Sequence, residues 1–385
     1  MVNTREALEL HSKNPGKISV EPSVEIEGKE DLALVYTPGV AEPCKKISED
    51  REKAYDYTSK GNLVAVVSDG SAVLGLGDIG PEAAMPVMEG KANLMKKFGK
   101  VDGFPEVIDV ESGDEIIEHV ERMEPNYGAV NLEDIKAPRC FKVEEALKES
   151  LDIPVFHDDQ HGTAIVVGAA LKNALELAEK DLEDARIVIS GAGAAGIAVA
   201  NFLLSAGARK VVPVDSSGIL RPEDENSYKA DLAERTLASE EEGDLSDAMR
   251  DADVFVGLSA PGIVSKEMVE SMADKAIVMA LANPEPEILP EDAREAGAFI
   301  TATGRSDFAN QVNNSLAFPG VFRGALDVRA SDINEEMKIA ASEAIRNFIE
   351  PEKDRIVPET LDRELAMEIA DRVSDAAKET GAARE

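Results

Sequence analysis

Two periodicities organise the chain. Between residues 163 and 180, TAIVVGAALKNALELAEK places apolar residues at helical spacing and predicts a long helix. The following stretch, ARIVISGAGAAGIAVANFLLSAGARKVVPVD (185–215), reads as strand, glycine-rich turn, helix and strand. Three more short apolar runs, ADVFVGLS (252–259), AIVMALA (276–282) and AFITATG (298–304), are bounded by polar or glycine positions and predict buried strands. Strands alternating with helices predict an α/β chain with a Rossmann-type, doubly wound parallel sheet. Upstream, helical patterns mix with short strands such as LVAVVSDGSAVLGLGDIG (63–80), which predicts a separate N-terminal α/β domain over residues 1–158. The expected nucleotide-binding domain covers 159–385. Within it, residues from about 311, ending in two charged amphipathic helices, are expected to return and pack on the first domain.

Composition narrows the function classes. The chain has 385 residues, too many for one ordinary core, and 43% are apolar, enough for a folded protein rather than an acidic disordered one. A net charge of -35 repels nucleic acid and anionic lipid, so neither is an expected partner. No uninterrupted apolar run is long enough for a membrane span, and the charged start MVNTREALELHSK does not suit a signal peptide. Two cysteines, Cys44 and Cys140, suit a reducing cytoplasm and rule out a disulfide scaffold.

Gly191-x-Gly193-x-x-Gly196 has the context that gives the motif its meaning, with a strand before it and a helix after it. Gly191 permits the tight turn, Gly193 lets a pyrophosphate approach backbone N–H groups, and Gly196 lets the helix pack close. The helix start at Ala194 and Ala195 favours phosphate charge. Asp215, at the end of the second strand, would accept hydrogen bonds from ribose hydroxyls and would repel a 2′-phosphate. Ser216 and Ser217 bring no cation, although Arg221 is close, so NAD is expected ahead of NADP.

Two acidic doublets, Glu133-Asp134 and Asp158-Asp159, each follow a short apolar segment. Carboxylates converging at strand ends fit Mg²⁺ or Mn²⁺, which take oxygen ligands. The spacing His157-x-x-x-His161 invites a zinc pair instead. That reading needs a helix through the segment, and Pro154 and Gly162 make such a helix doubtful.

YTPGVAEPC (36–44), LGLGDIG (74–80), MPVMEGKANLMKKFG (85–99), NLEDI (131–135), HDDQHGTA (157–164), GAGAAG (191–196), ALANPEPE (280–287) and QVNNSLAFPGVFRGAL (311–326) follow one another in order. Together they resemble the malic enzymes in their short bacterial and archaeal form. The resemblance implies oxidative decarboxylation of L-malate to pyruvate and CO2, with NAD or NADP and Mg²⁺ or Mn²⁺. It assigns Glu133, Asp134 and Asp159 to the metal, Tyr36 to the general acid and Lys91 to the general base. Asp158 becomes a carboxylate beside that lysine, and Asn283 and Asn314 hold the substrate, with Asn283 also at the cofactor. It further implies a homodimer or higher homo-oligomer, in which Tyr36 reaches a neighbouring subunit's site. To act as base Lys91 must be neutral, so a depressed pKa is expected.

Larger family members carry an arginine for a substrate carboxylate where this chain has Ala72. Arg305 and Arg323 are the candidates left for that role. Without the resemblance, Tyr36 could start a turn, Lys91 could be a surface lysine and Asn313-Asn314 could cap a helix. The competing functional readings are an oxaloacetate decarboxylase and a catalytically silent Rossmann nucleotide-binding protein. The acidic surface suits a halophile, because salt screens its self-repulsion. The melting temperature is therefore expected to rise between low-salt buffer and molar KCl; an unchanged melting curve would refute this.

Overall fold

The computed structural model describes residues 4–14, 16–73, 75–360 and 362–384; Leu74, first residue of the LGLGDIG motif, lies outside them. Four short helices, α1 (Thr4–Lys13), α2 (Lys29–Val35), α3 (Ala41–Glu49) and α4 (Ala54–Tyr57), form an N-terminal arm with no buried residue in any of them. Next come β1 (Leu63–Ser68), α5 (Pro81–Leu94), β2 (Asp102–Val107), α6 (Gly113–Met123), β3 (Ala129–Leu132), α7 (Arg139–Ser150) and β4 (Val155–His157). These strands form a parallel sheet in the order β2-β1-β3-β4.

Helix α8 (Asp158–Ala178) leads to the second sheet. That sheet is built from β5 (Arg186–Ser190), α9 (Ala194–Ser205), β6 (Lys210–Asp215), β7 (Gly218–Ile219), α10 (Ser227–Glu234), α11 (Leu245–Met249), β8 (Val254–Gly257), α12 (Lys266–Glu270), β9 (Ile277–Ala280), α13 (Pro290–Glu295) and β10 (Ile300–Thr303). Its order is β10-β9-β8-β5-β6-β7, parallel except for the β6–β7 pair. The central strands of both sheets are almost wholly buried, which is why they read as continuous apolar runs rather than alternations. The expected α/β fold with a Rossmann-type sheet is what the chain adopts.

Three helices follow: α14 (Phe318–Asp327), α15 (Glu335–Asn347) and α16 (Arg363–Thr380). Helix α14 touches both its neighbour and the first sheet's elements. A Cβ at Gly324 would lie 2.5 Å from the Ala370 carbonyl oxygen, and one at Gly99 would lie 2.4 Å from that of Pro319. Arg323 Nη1 donates to Asn62 Oδ1 at 2.6 Å, and Arg329 pairs with Asp56. Among the described residues no helix is long and apolar enough to cross a membrane.

One expectation is corrected. Residues 158–162 are helical, because α8 starts directly after β4 and runs 21 residues. Pro154 precedes β4 and imposes nothing on the helix. Gly162 costs about 1 kcal/mol in a helix interior, a small penalty for a helix with fifteen buried positions.

Candidate active site

In an open parallel sheet, ligands bind beyond the carboxyl ends of the strands where the strand order reverses. In the first sheet β1 has β2 on one side and β3 on the other, so the reversal lies between β1 and β3. The residues leaving β3 are Glu133 and Asp134, and those leaving the adjacent β4 are Asp158 and Asp159. Asp134 adopts a left-handed backbone, φ +53°, which turns the chain sharply at the strand end. Its N–H donates to Asp159 Oδ2 at 2.8 Å, stitching the two doublets together. Asn131 Nδ2 donates to Glu133 Oε2 at 2.9 Å. Oxygens of Glu133, Asp134 and Asp159 all lie within 4.8 Å of one another.

Lys91, in the last turn of α5, enters this cluster. Its Nζ is 2.9 Å from Glu133 Oε1, forms a very short contact with Asp158 Oδ2 and sits 4.5 Å from the centre of the Phe318 ring. Burial by itself would lower the lysine, yet Asp158 and Glu133 hold it well above its ordinary value. The expectation of a depressed Lys91 is thus corrected for the protein alone: the carboxylates outweigh desolvation. Burial pushes Glu133 and Asp158 upward too, although Lys91 opposes it. The three carboxylates acting on Lys91, with Asp134 beside them, carry an excess of negative charge that a divalent cation would neutralise. Three hard oxygen donors at this spacing fit Mg²⁺ or Mn²⁺.

The histidines do not form a zinc pair. His157 is the residue before the helix rather than a member of its face, and its Nε2 lies 3.1 Å from Asp159 Oδ2. His161 Nε2 lies 2.8 Å from Glu144 Oε1. Burial pushes His161 down to about 4, so at neutral pH its Nε2 carries a proton and donates to the ionised Glu144.

Gly162, which the sequence presents as a helix breaker, is a site residue. The Asp158 carboxylate folds back along α8, and its Oδ1 lies 1.8 Å from where a Cβ at Gly162 would stand. The Asn314 Cβ lies 3.1 Å from that same point, so Asn314 sits over Asp158. The Asn313-Asn314 doublet divides the work: Asn313 accepts from Ser315 N as a helix cap, and the Cβ of Asn314 lies against Gly162. Gly75 of the loop after β1 meets the Asn283 backbone, where an added Cβ would be 2.6 Å from its carbonyl oxygen. Tyr36 is not brought to Lys91; it ends α2 on the arm and is 64% exposed. The two arginine candidates are engaged elsewhere, Arg305 by Asp307 and Arg323 by Asn62 and Asp327.

The second site sits at the other strand reversal, beyond β5. Gly191 has φ +111°, and a Cβ there would be 2.4 Å from the Leu258 carbonyl oxygen. A Cβ at Gly196 would stand 1.7 Å from Gly191 O, whereas Gly193 has nothing within 4 Å of that position. The turn therefore closes at Gly191 and Gly196 and stays open at Gly193, in front of the α9 start at Ala194 and Ala195, which no side chain caps. A cavity of about 600 Å³ there is lined by Gly191, Gly193, Asp215, Ser217, Lys229 and Ser259, among others. Asp215 accepts from Ser217 N and is paired with Lys229, a cation that sequence proximity did not suggest because it arrives from α10.

Gly162→Ala is expected to lower kcat/KM by about 100-fold or more, because the displaced Asp158 no longer holds Lys91 in place. Steady-state kinetics on a variant with an unchanged circular dichroism spectrum measures this; wild-type kinetics would refute it.

These geometries agree with what the chain is similar to. The family model described as malic enzyme, N-terminal domain, matches residues 15–148, and that described as malic enzyme, NAD binding domain, matches 160–378. The bifunctional malic/malolactic enzyme of Bacillus subtilis (strain 168) is 56% identical, over 98% of this chain and 94% of that protein. The NADP-dependent malic enzyme of Halomonas elongata is 49% identical over 98% and 94%. The crystal structure of the NAD-dependent malic enzyme from Thermotoga maritima superposes with a TM-score of 0.93 at 49% identity, covering 97% of this chain and 99% of that one. With two carboxylate doublets meeting at one strand reversal, a glycine-rich turn at the other and relatives matched over nearly their full length, the chain belongs to the malic enzyme family.

Proposed function

We propose that this chain oxidatively decarboxylates L-malate to pyruvate and CO2, reducing NAD and, less readily, NADP. The observation that carries this reading is Lys91 Nζ held between Glu133 and Asp158, beside three carboxylate groups with ligand spacing. Glu133, Asp134 and Asp159 would hold Mg²⁺ or Mn²⁺; when bound, the ion acts as a Lewis acid toward the substrate's C2 oxygen and stabilises the charge left as CO2 departs. A nicotinamide held beyond β5 would supply the acceptor for the C2 hydride.

Lys91 takes the C2 hydroxyl proton at Nζ, which requires the neutral amine. When Glu133 serves as a metal ligand its charge is offset, leaving Asp158 as the facing carboxylate and moving Lys91 down toward neutrality. Asp158 keeps the amine aimed, and Phe318 closes one side of it against water. Asn314 and Asn283 orient the substrate. The preference for NAD rests on Asp215, whose carboxylate opposes a 2′-phosphate; Lys229 offsets part of that charge, which leaves NADP as the second cofactor.

Tyr36 supplies the proton to C3 from a neighbouring subunit. Two features support a homodimer: the exposure of Tyr36, and the exposed apolar residues Val20, Val24, Ile26, Leu32 and Leu34 on the same arm. In mixed dimers of Tyr36→Phe and Lys91→Ala chains, one site then holds both intact groups, so mixing two inactive variants is expected to restore turnover. Failure to restore it in confirmed mixed dimers would refute the shared site.

The direct test is absorbance at the reduced-nicotinamide band with L-malate and Mn²⁺, with NAD and NADP in parallel and pyruvate measured afterwards. Equal amounts of reduced cofactor and pyruvate are expected, with turnover abolished in Lys91→Ala and by EDTA. Reduced cofactor without pyruvate would leave a plain dehydrogenase. No reduction in folded protein would favour the silent nucleotide-binding reading.

A further inference from the structure

We propose that Glu144 is a positioning residue for the metal site, acting through Gln160 and His157 on Asp159. It occupies the middle of α7, on a face whose other members, Cys140, Phe141, Val143 and Leu147, are apolar and buried. A carboxylate in such a place is destabilising unless its oxygens are saturated with donors. Here they are. Oε1 accepts from His157 N at 3.2 Å and His161 Nε2 at 2.8 Å, Oε2 accepts from Gln160 Nε2 at 3.0 Å, and Lys148 Nζ stands 3.6 Å away.

The donors come from residues 157, 160 and 161, which flank Asp158 and Asp159 on both sides. His157, the residue before α8, has no side chain capping the helix start; Glu144 takes its backbone N–H from the neighbouring helix instead.

The contacts run in order from Glu144 to Asp159. A carboxylate only accepts, so the Gln160 atom facing Glu144 must be the amide nitrogen. That same nitrogen lies 2.9 Å from His157 Nδ1, which ties the ring to the amide. The other ring nitrogen, Nε2, lies 3.1 Å from Asp159 Oδ2. Asp134 N donates to that same oxygen at 2.8 Å. Glu144 thereby sets the rotation of the Asp159 carboxylate relative to Glu133 and Asp134, two residues beyond any direct contact. Replacing such outer partners of a ligand commonly weakens metal affinity by about 10–100-fold.

The inference rests on the assignment of Glu133, Asp134 and Asp159 as metal ligands, and its test separates the two. Mn²⁺ binding to the full chain is followed by the EPR signal of free Mn²⁺, without substrate or turnover. Glu144→Gln puts an amide N–H against a donor, and the Mn²⁺ dissociation constant is expected to rise about tenfold or more while NAD affinity on the same preparation stays within about twofold. Mn²⁺ affinity within about twofold of wild type in folded Glu144→Gln overturns the proposal. Should that variant fail to fold, Gln160→Met breaks the same relay without touching a charge, and wild-type Mn²⁺ affinity there overturns it equally. Asp159→Asn is expected to abolish tight binding. A wild-type chain that binds no Mn²⁺, or an Asp159→Asn chain that binds it normally, would overturn the ligand assignment and the proposal with it.

Discussion

Charge balance around Lys91 is the constraint on which the rest of the site depends. Glu133, Asp158 and Asp159 are gathered around one ammonium in a largely water-free cleft, and burial alone would push all four groups toward their neutral forms. The protein resists this by holding Lys91 strongly protonated against Asp158 and Glu133. That arrangement is poised rather than finished, since each charge a cation withdraws from the carboxylates lowers the hold on the lysine's proton. Metal affinity and base strength are therefore one electrostatic problem, and side chains that set carboxylate orientation bear on both.

Backbone geometry supplies the crowding. The C-terminal ends of adjacent parallel strands are separated by only about 5 Å, so acidic pairs placed immediately after β3 and β4 must meet. The left-handed turn at Asp134 and the immediate start of α8 after β4 remove any slack that could let them diverge. Gly162 then gives the Asp158 carboxylate a channel along the helix, and the returning segment at Asn314 closes over it. The same logic builds the nucleotide site at the other strand reversal, where Gly191 and Gly196 bring strand and helix too close for any side chain.

The surface and the interior treat acidity in opposite ways. Most of the acidic excess faces solvent, where water and salt screen it, while the buried and half-buried acids are individually committed: Glu144 to four donors' worth of contacts, Asp158 to Lys91, Asp159 to His157 and Asp134. The arm carrying Tyr36 is the converse case, apolar residues left facing outward.

Strand runs, the glycine-rich turn and both acidic doublets were legible in the sequence, because buried parallel strands and phosphate-binding turns leave local signatures. The resemblance carried by eight ordered segments added roles for Lys91 and Asn314 that no local pattern contains. What the sequence could not decide was set by residues distant along the chain. Pro154 and Gly162 argued locally against a helix that packing on both sides nevertheless imposes. Lys229 reaches Asp215 from a helix on the far side of a loop, Glu144 reaches Asp159 through two intermediaries, and Arg305 and Arg323 find acidic or amide partners away from the cleft. The direction of the Lys91 shift was equally out of reach, since it depends on how many carboxylates stand within a few ångströms, and only the tertiary structure sets those distances.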